Sequence, residues 1–195
     1  MGGTFDPIHY GHLAVAELAR VTYGLSRVIF VPAGQPPHKE GKVEAPAEDR
    51  YMMTVLATSD NPNFAVSRWE LDAEGPSYTL ETVRHFQDSV EKLYFIMGSD
   101  SLLEMRTWHA WDELAEVCDF IVASRPGFSL AEKDWRELLP ETVQKKIYFL
   151  DGPNLKIAAT EIRERIKLKK SFRYLLPKSV QQYIINRELY RLVQT

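Results

Sequence analysis

Short apolar runs rich in β-branched and aromatic residues alternate along this chain with stretches of helical periodicity, and no other feature limits the fold as much. The runs are RVIFVP at 27–32, FAVS at 64–67, KLYFIMG at 92–98, DFIVAS at 119–124 and KIYFL at 146–150. Residues 13–23, 46–58, 77–86 and 102–117 carry apolar positions at helical spacing between them, the last of these holding one or two helices, as do 160–169 and 177–185 after the last run. The runs are apolar throughout rather than at every second residue, which is how strands covered on both faces read. The pattern predicts an α/β fold: a doubly wound parallel sheet with helices on both faces and a small C-terminal helical part at about 158–195, all within a single domain over 1–195. In such a sheet ligands bind beyond the C-terminal strand ends, where the strand order reverses. GGTFDP (2–7), VPAGQPPHK (31–39), MGSD (97–100) and ASRPG (123–127) all fall at such places. Residues 33–47, rich in Pro, Gly and charge, are expected to form a mobile loop. The fold also needs a strand before the first helix. Almost nothing precedes Gly2, so that strand is either very short or lies partly upstream of this start.

Apolar residues make up 45% of the 195, enough for a core in a chain of one-domain length. A net charge of −3 argues against a nucleic-acid-coating role. Cys118 is the only cysteine, so no internal disulfide forms, and there is no Cys/His cluster for a structural zinc. No apolar run reaches the roughly 18–20 residues that cross a bilayer, and the start lacks a basic region followed by an apolar one. A cytoplasmic location with no membrane partner is the expectation.

The opening residues MGGTFDPIHYGHL gather two glycines, an Asp-Pro and two histidines around one strand-to-helix turn. Gly2 and Gly3 let backbone approach a ligand closely. Amide groups followed by a helix N-terminus make an anion site, and His9 and His12 can each donate to a phosphate oxygen. Taken singly, the glycines are explained by a plain turn and each histidine by capping or core contact. Together in one strand–turn–helix they point to phosphate binding.

GGTFDPIHYGH resembles the phosphate-binding signature of the HxGH nucleotidyltransferase superfamily. VPAGQPPHK, GPSYTLET, IMGSD, TWHAWDEL, ASRPGF and AATEIRERI, in this order, narrow the resemblance to the bacterial nicotinate-nucleotide adenylyltransferase family over nearly the whole chain. The resemblance implies a Rossmann-like sheet and transfer of the adenylyl group of ATP to nicotinate mononucleotide, giving deamido-NAD and pyrophosphate. It implies Mg²⁺ held mainly by nucleotide phosphates and water, which agrees with the lack of an obvious carboxylate cluster. Preference for the acid over the amide mononucleotide is likewise implied only by the resemblance.

The residues carry such a reaction without a base. A mononucleotide phosphate has its second pKa near about 6, so the attacking oxygen is largely ionised at neutral pH. What remains is alignment of two anions and stabilisation of charge on the α-phosphoryl and the leaving pyrophosphate. His9, His12 and Arg163 are the catalytic candidates, with His12 facing the α-phosphate most directly. Gly2, Gly3, Thr4, Phe5, Gly98, Asp100, Ser124, Arg125 and Thr160 join them as candidates for binding ATP. Gly98 and Asp100 would meet the ribose, and Ser124, Arg125 and Gly127 the adenine or its phosphates. Thr160 and Arg163 lie three apart at a helix start and share one face. The family usually has a hydroxyl residue where this chain has Ala158 and Ala159. For the pyridine mononucleotide the resemblance implies Lys39, Thr79, Thr82, Trp108 and His109, with Trp108 stacked on the ring and Lys39, beside His38, brought in by the 33–47 loop. Most of the six basic residues from Arg163 to Arg173 read as a solvated face. Two further readings stay open. One is another member of the superfamily, such as a phosphopantetheine adenylyltransferase or a cytidylyltransferase. The other is a nucleotide-binding regulator without turnover.

Overall fold

The structure is a computed structural model that describes residues 1–37, 43–124 and 135–191. Among these residues β1 (Gly2–Gly3), β2 (Val28–Pro32) and β3 (Phe64–Val66) form one ladder in the order 1-2-3. A second ladder, in the order 4-5-6, joins β4 (Tyr94–Gly98), β5 (Asp119–Ala123) and β6 (Ile147–Leu150). Every pairing is parallel. The ladders meet at β1 and β4: a Cβ built on Gly2 would touch the Phe95 ring at 3.4 Å. Across the molecule the order is therefore 3-2-1-4-5-6, the doubly wound arrangement, with its reversal between β1 and β4. The sheet is split because β1 is two residues long and its ladder bonds go to β2, in the register Gly2↔Val31 and Gly3↔Pro32.

Each strand sends alternate side chains to opposite faces, and this divides the core in two. From β4, Phe95 and Met97 enter one cluster and Ile96 the other; from β5, Phe120 and Val122 part in the same way from Ile121 and Ala123. On one face pack α1 (Tyr10–Thr22) through Ala16 and Ala19, and α2 (Ala47–Thr58) through Met53 and Ala57. The same cluster takes Ile162 of α9 (Ala159–Lys167) and Val180 and Ile184 of α10 (Lys178–Asn186). The opposite face is covered by α4 (Thr79–Gln87), α5 (Ser99–Glu104) and α6 (Trp111–Val117), through Leu80, Leu102 and Leu114. Two single turns, α7 (Trp135–Leu138) and α8 (Glu141–Gln144), add Trp135 and Val143.

The elements depart from the sequence pattern at the start of α1 and at three one-turn helices, each for a local cause. The first helix starts at Tyr10, not 13, so the HYGH segment is itself the first turn, with His9 as N-cap. The stretch 102–117, expected to hold one or two helices, carries two, α5 and α6, joined through a 3₁₀ turn (Met105–Thr107), because Ala110 adopts a left-handed φ of 47° and starts a new helix. The one-turn helices α3 (Trp69–Asp72), α7 and α8 went unread because four residues carry no periodicity. Within α2, Met53 is fully buried but Met52 faces outward.

Gly34, just past β2, has no room for a side chain. Its Cβ would fall well inside van der Waals contact with the main-chain carbonyl of Glu70, and backbone cannot step aside cheaply. Gly34→Ala is expected to cost about 3 kcal/mol, the upper range for overpacking. A urea midpoint equal to that of the wild type would contradict this.

Candidate active site

The chain leaves β1 through a tight turn. Phe5 sits at a left-handed φ of 49°, and its ring lies where a Cβ on Gly3 would come, at 2.8 Å. His9, in extended conformation, then caps α1. Its N–H donates to Nδ1 of His12 at 3.2 Å. A neutral imidazole that accepts at Nδ1 carries its proton on Nε2, so this backbone contact selects the tautomer of His12. The two imidazoles stack with centroids 3.7 Å apart, and the Phe5 ring meets His12 edge-on at 5.2 Å. Gly11 makes the stack possible, since a Cβ there would approach the His9 ring to 3.0 Å. His12 is thereby held from two sides at the N-terminus of a 13-residue helix, where partial positive charge favours an anion.

A buried polar cluster fixes the turn beneath the histidines. The Asp6 carboxylate accepts from the main-chain N–H of Glu44 (2.9 Å) and of Ala45 (3.1 Å), and from the Tyr190 hydroxyl (2.8 Å). Arg50, 1% exposed, gives its guanidinium to three main-chain carbonyls: Thr4 at 2.8 Å, Gly34 at 3.2 Å and Ala45 at 3.3 Å. Desolvation draws the pKa of Arg50 down, with the Asp6 charge opposing it. Burial, reinforced by Asp6, pushes the Tyr190 hydroxyl far up, so it stays a donor. Arg163 reaches in from α9 and donates from Nη1 to the Asp6 carbonyl and from Nε to Glu44 Oε1, both at 2.8 Å. Arg163, a phosphate candidate in the sequence, thus stands at this turn with its guanidinium on a main-chain carbonyl and a carboxylate.

The other candidates divide. Gly98 ends β4 and caps α5, whose second residue, Asp100, is exposed. Both stand at the β1/β4 reversal. Trp108 is half-buried, with its ring edge-on to Phe95 at 5.8 Å, so a single ring separates it from β1. His109 is exposed and stacks on Tyr78 at 4.3 Å. Thr79 opens α4, and Thr160 is exposed in the first turn of α9. Several groups of the candidate residues are already engaged within the protein. The Phe5 ring is core, the Thr4 carbonyl holds Arg50, and the Thr82 hydroxyl donates to buried Glu70 at 2.5 Å. Ser124 Oγ accepts from the Gly152 N–H at 3.0 Å. At Phe5 and Thr82 a ligand would meet main chain or a rearranged side chain, whereas the Ser124 hydroxyl keeps its proton to donate. Lys39 and Arg125, with His38 and Gly127, lie outside the described residues. Asp6, Glu44, Arg50, Glu70 and Tyr190 went unread. Asp6 stands beside Pro7 in a turn and Arg50 inside a helical stretch, where neither shows its role locally, and Tyr190 is 184 residues from its partner. Burial raises the Cys118 thiol to about 12, so it is no nucleophile.

Residues 1–165 match the cytidylyltransferase-like family model. The chain is 50% identical to the "probable nicotinate-nucleotide adenylyltransferase" of Moorella thermoacetica, over 98% of this chain and 90% of that one. It is 44% identical to the protein of the same name from Mycobacterium avium, over 98% and 91%. The chain belongs to the nicotinate-nucleotide adenylyltransferase family. It is a nucleotidyltransferase by that membership. The fold agrees. The Plasmodium falciparum nicotinic acid mononucleotide adenylyltransferase complexed with NaAD superposes with a TM-score of 0.75, at 19% identity, over 97% of this chain and 94% of that one. The same family's Rossmann-like sheet is what the 3-2-1-4-5-6 order displays. No helix among the described residues is long and apolar enough to cross a membrane.

Proposed function

We propose that this member of the family joins ATP to nicotinate mononucleotide, forming deamido-NAD and releasing pyrophosphate, in the cytoplasm and as a single catalytic domain over 1–195. A phosphate oxygen of the mononucleotide attacks the α-phosphorus in line. The bond from that phosphorus to the bridging oxygen breaks, and pyrophosphate leaves with the electron pair. The attacking oxygen is already ionised, so no base is needed. The single observation that carries this reading is the His12 ring, stacked at 3.7 Å on His9 and bound through Nδ1, which makes Nε2 a fixed donor at a helix N-terminus. Such a preorganised donor stabilises charge growing on the α-phosphoryl oxygens without reorganising. His9, Arg163 and Thr160 serve the same anion, with the main chain of Gly2 and Gly3 beside it. Gly98 and Asp100 receive ribose, and Ser124 and Arg125 border the base. Lys39, Thr79, Thr82, Trp108 and His109 serve the pyridine mononucleotide.

Among the described residues no three His, Cys, Asp or Glu side chains gather to cage a metal. The donors at the turn are N–H groups and cations suited to phosphate, so the chain fits a divalent ion that arrives on the nucleotide. In our reading that ion is Mg²⁺, which neutralises polyphosphate charge while keeping several waters.

Incubation with ATP, Mg²⁺ and nicotinate mononucleotide should yield deamido-NAD and pyrophosphate in equal amounts. Absence of both at high enzyme concentration overturns the reading. Arms with CTP, with phosphopantetheine and with nicotinamide mononucleotide separate it from its superfamily neighbours and from the amide-using activity. Trp108→Ala should raise the KM for nicotinate mononucleotide about tenfold with a much smaller change for ATP, since one ring stack is worth roughly 1–3 kcal/mol. An unchanged KM would make Trp108 merely a packing partner of Phe95.

A further inference from the structure

The cations at this turn already hold an anion. Glu44 takes Arg163 Nε on Oε1 at 2.8 Å, and Lys167 Nζ lies 2.9 Å from Oε1 and 2.8 Å from Oε2. Arg163 Nη1 also faces Asp6 Oδ2 at 3.8 Å. The carboxylates of Glu44 and Asp6 thus match Arg163 and Lys167, and these four side chains are neutral together, with a third cation, Arg50, buried behind them on main-chain carbonyls. A triphosphate, with several negative charges, gains little from a neutral group. It gains much from Arg163 and Lys167 with Glu44 turned away.

The geometry lets Glu44 turn away. Its main chain is pinned by the Asp6 carboxylate, and Asp6 by Tyr190. The side chain is 31% exposed and that of Lys167 33%, so carboxylate and ammonium can separate into water without disturbing the turn. Partial burial pushes the Glu44 carboxyl up, but hydrogen bonds from Lys167 and Arg163 outweigh this and hold it below the ordinary carboxylate range. It is therefore an anion at neutral pH.

We infer that Glu44 is a built-in competitor for the polyphosphate of ATP: its carboxylate occupies Arg163 and Lys167 in the ligand-free protein and is displaced when phosphate oxygens take its place. The inference rests on the adenylyl-transfer reading for its ligand, and it adds Lys167 as a second cation facing the leaving pyrophosphate. Glu44 then sets affinity. The bound nucleotide is charged the free energy of breaking an internal ion pair, which keeps ATP and pyrophosphate from binding too tightly to leave.

Calorimetric titration with ATP, and separately with inorganic pyrophosphate, tests this in the full chain. Glu44→Gln keeps the shape and removes the charge, and should bind both about tenfold more tightly, the change expected if only about a tenth of wild-type molecules have the cations uncovered. Glu44→Ser should move the same way. In an Arg163→Gln, Lys167→Gln background the gain should vanish. If the wild type binds and folded Glu44→Gln and Glu44→Ser bind equally or more weakly, Glu44 is a holder of Arg163 and the inference falls alone. If the wild type binds neither ATP nor pyrophosphate, the adenylyl-transfer reading falls and takes the inference with it.

Discussion

His12→Ala is expected to lower turnover by about 10²–10³-fold, the loss typical of a preorganised donor to a developing oxyanion. The effect should sit in kcat rather than KM, because a donor aimed at charge that grows during reaction binds the transition state better than the substrate. Folding should barely change. His12 is half-buried on the first turn of α1, and its side chain meets the His9 N–H, the His9 ring and the edge of the Phe5 ring at the margin of the core. Steady-state kinetics at saturating ATP and nicotinate mononucleotide, with a thermal melt alongside, reads both quantities. A kcat within about twofold of the wild type would show that His12 only caps the helix.

Arg50→Met should produce the largest loss of stability. The methionine fills much of the same volume but leaves the carbonyls of Thr4, Gly34 and Ala45 without their donor. At roughly 1–3 kcal/mol for each buried unsatisfied group, partly relieved by relaxation, the cost is about 3–5 kcal/mol. For a chain of this size that lowers the melting temperature by roughly 6–20 °C. Arg50→Lys keeps the charge, cannot reach all three acceptors, and should fall between. The damage should reach the site as well. Arg50 ties the β1 turn to both ends of the segment between β2 and α2, and amide exchange at Thr4–Asp6 should quicken even in folded Arg50→Lys. Wild-type melting in Arg50→Met would mean that the three carbonyls find other donors.

How far a sequence can be read depends on the range of the interaction. The β5 run DFIVAS is apolar on both faces, and both faces are covered, so the doubly wound sheet was legible from it. The HYGH turn was legible because its bonds span three residues. The start of α1 was placed too late, since glycine and histidine are poor helix formers and the gain from the cap and ring stack is tertiary. Asp6 shows the opposite limit. Beside a proline it reads as a turn residue, but its partners are Glu44, Ala45 and Tyr190, 38 to 184 positions away. Arg50 reads as one more helix former and is instead the most deeply buried cation at the site. Motif residues such as Thr82 and Ser124 were placed near the site, but their hydroxyls turn out to bond Glu70 and Gly152. A motif marks a position, not which atom of it is free to act.

The central claim is that His12 presents a fixed Nε2–H to the nucleotide. Long-range ¹H–¹⁵N correlation spectra of the imidazoles test it directly, with His12 assigned by mutation. The account predicts the Nε2–H tautomer in the ligand-free protein, retained on adding a non-hydrolysable ATP analogue, with the Nε2 proton shifting downfield as it meets phosphate. A proton on Nδ1, or an Nε2 resonance indifferent to saturating analogue, would contradict it.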